Sequence, residues 1–298
     1  MAFTAKDVKE LRELTGCGMM DCKKALTETD GDKDKAIEFL REKGLATAAK
    51  KAGRIASEGI VKAYVSDDKK IGVLVEVNSE TDFVAKNAEF QAFVTKIAEI
   101  VAAEAPADVE ALKALPYADG QTVGDALTAL IAKIGENMNI RRFARVDGNV
   151  CSYTHGEGRI GVLVEAEDSL DNADAYEAAR DAAMQIAAIN PLYLSKDVVP
   201  AEDVEKEKHI IIAQIKEDPK NANKPDAIIE KMVGGKINKF YEQNCLLQQE
   251  FVKDGDFKVE AYLASKGVKL IGYVRFEKGE GLAKKEENFA DEVASMIK

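Results

Sequence analysis

Apolar residues recur at helical spacing through the first forty positions: Val8, Leu11 and Leu14, then Ala25 and Leu26, then Ala36, Ile37 and Leu40. Breaks separate the three segments. Thr15-Gly16-Cys17-Gly18 ends the first, Asp21 is placed to cap the second, Asp30-Gly31-Asp32 interrupts again, and Lys43-Gly44 stops the third. Met19 and Met20 then fall in the first interhelical loop, where one is expected to fill the small core and the pair offers an adaptable contact surface. Residues 45–57 are rich in Ala and Lys and read as a helical connector. Beyond them the pattern switches to short apolar runs, the signature of strands.

Those runs come twice. Residues 59–66, a polar turn at 67–70 and the run at 71–76 are matched by 148–155, a turn at 156–159 and 160–165, and every pairing keeps an offset of 89, including Gly59 with Gly148 and Tyr64 with Tyr153. Each hairpin leads to a helix, at 90–103 and 176–189. This is an internal duplication with too few copies for a solenoid, so two similar lobes with antiparallel sheets are expected in an α+β fold. Between the copies, 105–120 reads as a Pro-containing helical loop, 123–134 as an amphipathic helix ending at Gly135, and 139–147 as a strand. Val204, Ile211 and Ile215, then Ile228, Ile229, Met232 and Phe240, line two long helices around a polar turn at 217–225: an antiparallel helical hairpin whose seam packs on itself or on another copy. A strand at 269–276 returns to the second lobe, and Phe289, Val293, Met296 and Ile297 mark a C-terminal amphipathic helix. The expected organisation is a helical module at 1–54, lobe one at 55–140, the first part of lobe two at 141–200, the helical hairpin at 201–243, the completion of lobe two at 244–281 and a C-terminal helical module at 282–298. The first module is similar to the small three-helix binding domains of the ubiquitin-associated (UBA) type.

The copies diverge at one place. Residues 71–77 form a β-branched run suited to a strand buried on both faces, and Asn78-Ser79-Glu80-Thr81 then turns the chain into a short helix opening with Asp82, Phe83 and Val84. The second copy carries an acidic stretch, 166–175, with no aromatic at the matching position. An aromatic and an aliphatic residue beside an acid can be a staple holding strand to helix, or an exposed wedge for a partner.

Composition narrows the chemistry. A net charge of −11 across 298 residues, without an aromatic-interleaved basic patch, argues against nucleic-acid binding. No apolar run is long enough to span a bilayer and the N-terminus has no signal-peptide core, so a cytoplasmic protein is expected. Cys17 and Cys22 lack metal-site spacing, and Cys151 and Cys245, like His155 and His209, are isolated; neither a metal, a cofactor nor a Cys/His nucleophile is expected. Gly156-x-Gly158-x-x-Gly161 opens a strand where the dinucleotide fingerprint must open a helix, and Gly234-Gly235-Lys236 lacks the phosphate-loop pattern.

ELRELTGCGMMDCKKAL near the N-terminus, NSETDFVAKNAEFQAF after the first repeat strand, IGENMNIRR, YTHGEGRIGVLVE and IGYVRFEKGEG resemble, in that order, bacterial elongation factor Ts, across essentially the whole chain. The resemblance implies a nucleotide exchange factor for elongation factor Tu that acts on its GDP-bound and nucleotide-free forms and makes or breaks no covalent bond. In the family an Asp-Phe pair intrudes near the GTPase's magnesium site, which falls on Asp82 and Phe83, with Thr81 and Val84 completing the block. Further contacts carry over to Lys23 beside Met19 and Met20, to Ile134 and Gly135, and to His155 and Val252. Lys253-Asp254 in EFVKDGDF departs from the family pattern and weakens the carry-over at Val252. The helical hairpin corresponds to a variable coiled-coil region, through which a homodimer or 2:2 complex is an option. A passive adaptor that binds a GTPase without altering nucleotide affinity, and an enzyme using Cys22 or His155, are the competing classes.

Overall fold

The computed structural model describes residues 3–283 apart from Gly16, Asp119, Pro219, Lys220, Ala222 and Asn223; the helix expected around Phe289, Val293, Met296 and Ile297 lies outside the described residues. Helices α1 (Ala5–Thr15), α2 (Met19–Glu28) and α3 (Lys33–Lys51) close around Val8, Leu11, Cys22, Ala25, Leu26, Ala36 and Leu40. Leu14 is exposed because it sits about 120° around α1 from Val8, while Thr15, whose hydroxyl contacts Cys22 Sγ, continues the inward face. Gly18, not Asp21, takes the N-cap of α2. Met19 and Met20 therefore lie in the helix's first turn and not in a loop, and both point outward, 54% and 73% exposed, so neither fills the core.

Gly44 does not stop α3, which runs on to Lys51. A Cβ on Gly44 would lie 3.6 Å from Thr128 Cγ2 and 3.8 Å from Ala132 Cβ. The helix carrying Thr128 and Ala132 crosses α3 there at ordinary van der Waals distance, and a periodicity argument cannot distinguish a crossing point from a cap.

Strands β1 (Glu58–Val65) and β2 (Ile71–Ser79) form the first hairpin, followed by a one-turn helix α4 (Asp82–Ala85) and by α5 (Ala88–Glu104). The stretch expected to be a Pro-containing helical loop carries α6 (Val109–Ala114) and, beyond that expectation, a small hairpin of β3 (Pro116–Ala118) and β4 (Gln121–Thr122). Helix α7 (Val123–Ile134) starts in a Thr122–Asp125 capping box and ends at Gly135, whose φ of 85° is left-handed. Strand β5 (Met138–Asp147) then completes an antiparallel sheet of order β1-β2-β5.

The second copy repeats the plan with β6 (Asn149–His155), β7 (Ile160–Ala166) and α8 (Ala173–Ile189). Helices α9 (Ala201–Glu217) and α10 (Asp226–Asn244) follow. They pack on each other through Ile211, Ile215 and Ile237, with Ile229, Met232, Val233 and Tyr241 alongside, so the seam is consumed internally. Ile228 is exposed: the seam on α10 steps from 229 to 233, 237 and 241, and its neighbour sits about 100° around the helix. The chain returns through β8 (Glu250–Phe251), β9 (Asp254–Lys258), α11 (Val259–Ser265) and β10 (Leu270–Glu277), which joins a sheet of order β10-β7-β6.

The duplication explains why β2 is apolar on both faces. One face of the first sheet meets α5 and α7 through Val73, Val75 and Val77. The other meets the second sheet through Val61, Leu74, Leu163 and Phe276. A Cβ on Gly72 would abut Val150 and Leu163, and one on Gly161 would abut Val61 and Leu74. All three residues in each set are related by the 89-residue offset, so the two lobes meet as a pseudo-twofold, self-complementary pair. The Val61 N–H donates to Gly158 O across the seam at 2.7 Å. The whole is a mixed helix and antiparallel-sheet structure, an α+β fold.

Candidate functional site

Strand β2 delivers the chain to a short, tightly held platform. Ser79 Oγ donates to Thr81 O at 3.0 Å. Val84 is buried in the first lobe's core, in the same cluster as Ala85 and Phe90, and Asn87 Oδ1 caps α5 by accepting from Glu89 and Phe90 N–H at 2.8 and 3.2 Å. Phe83, between these anchors, is 80% exposed. Val84, and not Phe83, is therefore the residue that staples α4 to the core. Asp82 beside the ring is open to solvent and pairs with Lys86 one turn on at 3.3 Å. A large apolar ring fully presented to water costs hydration free energy and does nothing for the fold, which makes it a candidate for burial against another surface.

Four groups across two loops fix this platform. Glu136 accepts from the Thr81 N–H at 3.0 Å and from the Thr81 hydroxyl at 2.8 Å. In return Glu80 accepts from the Asn137 N–H at 2.6 Å and pairs with Arg54 at 3.0 Å. Asn137 Nδ2 donates to Arg54 O at 2.7 Å, and Lys51 Nζ to Gly135 O at 2.5 Å. Ile134 is half-buried against the same lobe's core, and Gly135 turns the chain at the end of α7.

The start of α2 lies beside the end of α7. A cleft lined by Cys17, Gly18, Asp21, Lys43, Ala132 and Lys133 joins it to the end of α7, and Lys133 reaches Glu89 on α5 at 2.7 Å. Exposed Met19, Met20 and Lys23 lie in the first turns of α2, the helix that opens beside this cleft.

His155 and Val252 belong to the second lobe. His155 is exposed at the end of β6, with Nδ1 3.0 Å from Tyr153 Oη. Val252, 53% exposed at the β8–β9 turn, donates its N–H to Gln185 Oε1 at 2.9 Å. Lys253 pairs with buried Asp181, which also accepts from Tyr262 Oη at 2.7 Å, and Phe251 stacks on the Tyr262 ring at 4.1 Å. Arg180, next to Asp181 on α8, lies 5.9 Å from the Tyr153 ring, so α8 touches the surroundings of His155 as well as those of Val252. Burial, with the bond to Asp181 adding to it, pushes the Tyr262 hydroxyl up to about 12. The Lys253 that departs from the family pattern therefore anchors the turn bearing Val252.

Sequence reasoning missed Glu80, Glu136 and Asn137, and it missed Glu76. Glu76 is fully buried and accepts from Arg142 Nε at 2.6 Å, Gly279 N–H at 2.8 Å, Arg141 at 2.9 Å and Asn78 Nδ2 at 3.1 Å, tying β2 to β5 and to the end of β10. A signal for it existed: one acid inside an apolar strand, and a double arginine in the strand that pairs with it.

Nothing in this arrangement has the geometry of acid–base or nucleophilic chemistry. Cys22 contacts the Thr15 hydroxyl and the Cys17 carbonyl, and His155 contacts Tyr153. Burial raises the thiols of Cys151 and Cys245 to about 11, far from thiolate reactivity at neutral pH. Among the described residues no group of three or more His, Cys, Asp or Glu could hold a metal ion, and no helix is long and apolar enough to cross a membrane. What the site offers is shape: a rigid, exposed aromatic with an acid beside it.

A family model described as elongation factor TS matches residues 80–280 of this chain. The elongation factor Ts of Clostridium perfringens (strain SM101 / Type A) is 55% identical over 303 residues, covering 99% of each chain. That of Clostridium botulinum (strain Eklund 17B / Type B) is 52% identical over 304 residues, again covering 99% of each. The platform bearing Phe83, the Ile134-Gly135 turn and the second lobe all fall within the matched region, and the chain belongs to the elongation factor Ts family of translation elongation factors.

Proposed function

We propose that this chain is a cytoplasmic guanine nucleotide exchange factor for elongation factor Tu and that Asp82 and Phe83 are the wedge that promotes GDP release. The observation that carries the reading is the exposure of Phe83 on a segment pinned by buried Val84 on one side and by Glu136 on the other. Thr81 and Val84 serve the wedge from beneath, as its clamp and its anchor.

The mechanism is a coupling between two ligands of one partner. GDP is held by phosphate contacts and by Mg²⁺, which demands near-octahedral geometry at short distances. A ring inserted beside that site shifts the groups that support the metal and weakens the nucleotide. By linkage, the loss in GDP affinity equals the loss in this protein's affinity for the GDP-bound partner, so incoming nucleotide displaces the factor by mass action. Burying a Phe side chain contributes about 1.5–3 kcal/mol, enough to drive a local displacement of that kind.

The other contacts supply binding without wedging. The helical module at 1–54, which we read as UBA-like, presents Met19, Met20 and Lys23 to the GTPase domain, and Ile134 and Gly135 extend that contact. His155 and Val252, grouped about α8, form a separate dock on the second lobe. The domain division given above is kept on this reading except that the first lobe extends to Asp147, because β5 pairs with β2 along its whole length. The test is labelled-GDP release from elongation factor Tu in rapid mixing: the reading predicts release accelerated in proportion to added factor. Binding with an unchanged release rate would instead establish the passive adaptor.

A further inference from the structure

The loop before Phe83 is held by a reciprocal pair of carboxylates that no local role accounts for. Glu136, beyond the end of α7, grips the backbone and side chain of Thr81; Glu80, next to Thr81, grips the backbone of Asn137, next to Glu136. Each loop thus supplies the acceptor for the other's N–H, across 55 and 57 positions of sequence. Thr81 occupies the N-cap position of α4 and is a residue type suited to capping, yet it makes no side-chain cap bond; its hydroxyl is diverted to Glu136. A segment serving only to begin a helix would keep the local bond. The same two loops also hold the connector from the N-terminal module, through Arg54 to Glu80 and Lys51 to Gly135 O.

We propose that Glu136 and Glu80 are positioning residues for nucleotide exchange, holding Phe83 in its projecting geometry and fixing the N-terminal module's connector to the same point. The proposal rests on the wedge reading. An 80% exposed aromatic two residues past a loop gains by folding onto apolar surface of its own lobe, and a clamp at Thr81 opposes that collapse. The ordering entropy is then removed before the partner arrives, and the ring's burial energy goes into displacing the partner's groups.

The variants are Glu136→Ala, Glu136→Gln and Thr81→Val, each alone and combined with Phe83→Ala, read by the saturating rate of GDP release, by the factor concentration at half saturation and by thermal unfolding. Glu136→Ala is expected to lower the saturating rate roughly 3- to 30-fold, the scale of losing two hydrogen bonds to one carboxylate. In the Phe83→Ala background it is expected to have no further effect, because there is no ring left to position. Glu136→Gln should recover most of the rate: its carbonyl accepts the Thr81 N–H and its amide donates to the Thr81 hydroxyl, so the geometry survives without the charge. Thr81→Val keeps the backbone bond and should show an intermediate loss with an unchanged fold. Equal losses with and without Phe83, or Glu136→Gln as poor as Glu136→Ala, would overturn the positioning role, the second by making Glu136 a charged contact of the partner. The two readings separate cleanly. If Phe83→Ala alone leaves release unchanged, the wedge reading falls; if it slows release and Glu136→Ala does not, only the positioning falls.

Discussion

Replacing Gly161 by alanine should destabilise the protein, against the usual direction for a strand. Gly in a strand interior costs roughly 0.5–1 kcal/mol relative to Ala through backbone entropy, so propensity alone predicts a gain. The packing decides otherwise. The added Cβ would stand 2.6 Å from Val61 Cγ1 and 3.0 Å from Leu74 Cδ2, within the seam between the two sheets. Overpacking of this kind costs about 1–3 kcal/mol and outweighs the propensity gain. The twin change Gly72→Ala meets Leu163 and Val150 at 3.1 Å and should cost less. Thermal unfolding followed by circular dichroism measures both, with a melting temperature lower by about 2–4 °C per kcal/mol. The deeper test is Val61→Ala in the Gly161→Ala background. It removes the 2.6 Å clash, leaving Val61 Cβ at an ordinary 3.5 Å and Leu74 Cδ2 at 3.0 Å as the tightest remaining contact, so the double variant should be more stable than the sum of the single effects by about 1 kcal/mol. Additive losses, or a Gly161→Ala protein as stable as wild type, would refute the close pseudo-twofold packing of the lobes.

Val84→Ala should lower stability by about 1–3 kcal/mol, because the side chain is buried beneath the wedge, whereas changes at exposed Phe83 should alter stability by less than about 0.5 kcal/mol; paired denaturation curves check both. Under native conditions iodoacetamide should modify partly exposed Cys17 first and leave Cys22, Cys151 and Cys245 intact, since these are buried and burial raises their thiols; peptide mass mapping reads the outcome. Asp7, which accepts from the Thr4 hydroxyl and backbone N–H at the start of α1, is held down to about 2 from 3.8, chiefly by those bonds. The unfolded chain takes up that proton first as pH falls, so the contribution is complete above about pH 4 and fades towards pH 2; carboxyl NMR titration of Asp7 should show the low midpoint, and Thr4→Ala should return it towards 3.8.

Much of the fold could be read from the chain because the deciding interactions are local or repeated. Helix α7 needs only its 3.6 period and a glycine able to take a left-handed φ at its end. The lobes announce themselves through an offset that preserves Gly59, Tyr64 and the strand after each turn. The failures have two causes. Gly44 is a helix crossing and Ile228 misses a seam defined by its partner helix, both set by neighbours distant in sequence. Met20 faces outward for a local reason, because Gly18 and not Asp21 starts the helix. The candidate site divides in the same way: Phe83 stands out locally as an aromatic among turn and cap residues, whereas the Glu80–Asn137 and Thr81–Glu136 bonds join loops with no shared periodicity.

The exposure of Phe83 is the quantity on which the functional account turns, and GDP release from elongation factor Tu measured with wild type and with Phe83→Ala tests it most directly. Loss of a ring worth about 1.5–3 kcal/mol when buried predicts release about tenfold to a hundredfold slower at saturating factor, with the fold intact. A variant that accelerates release as well as wild type would contradict the account.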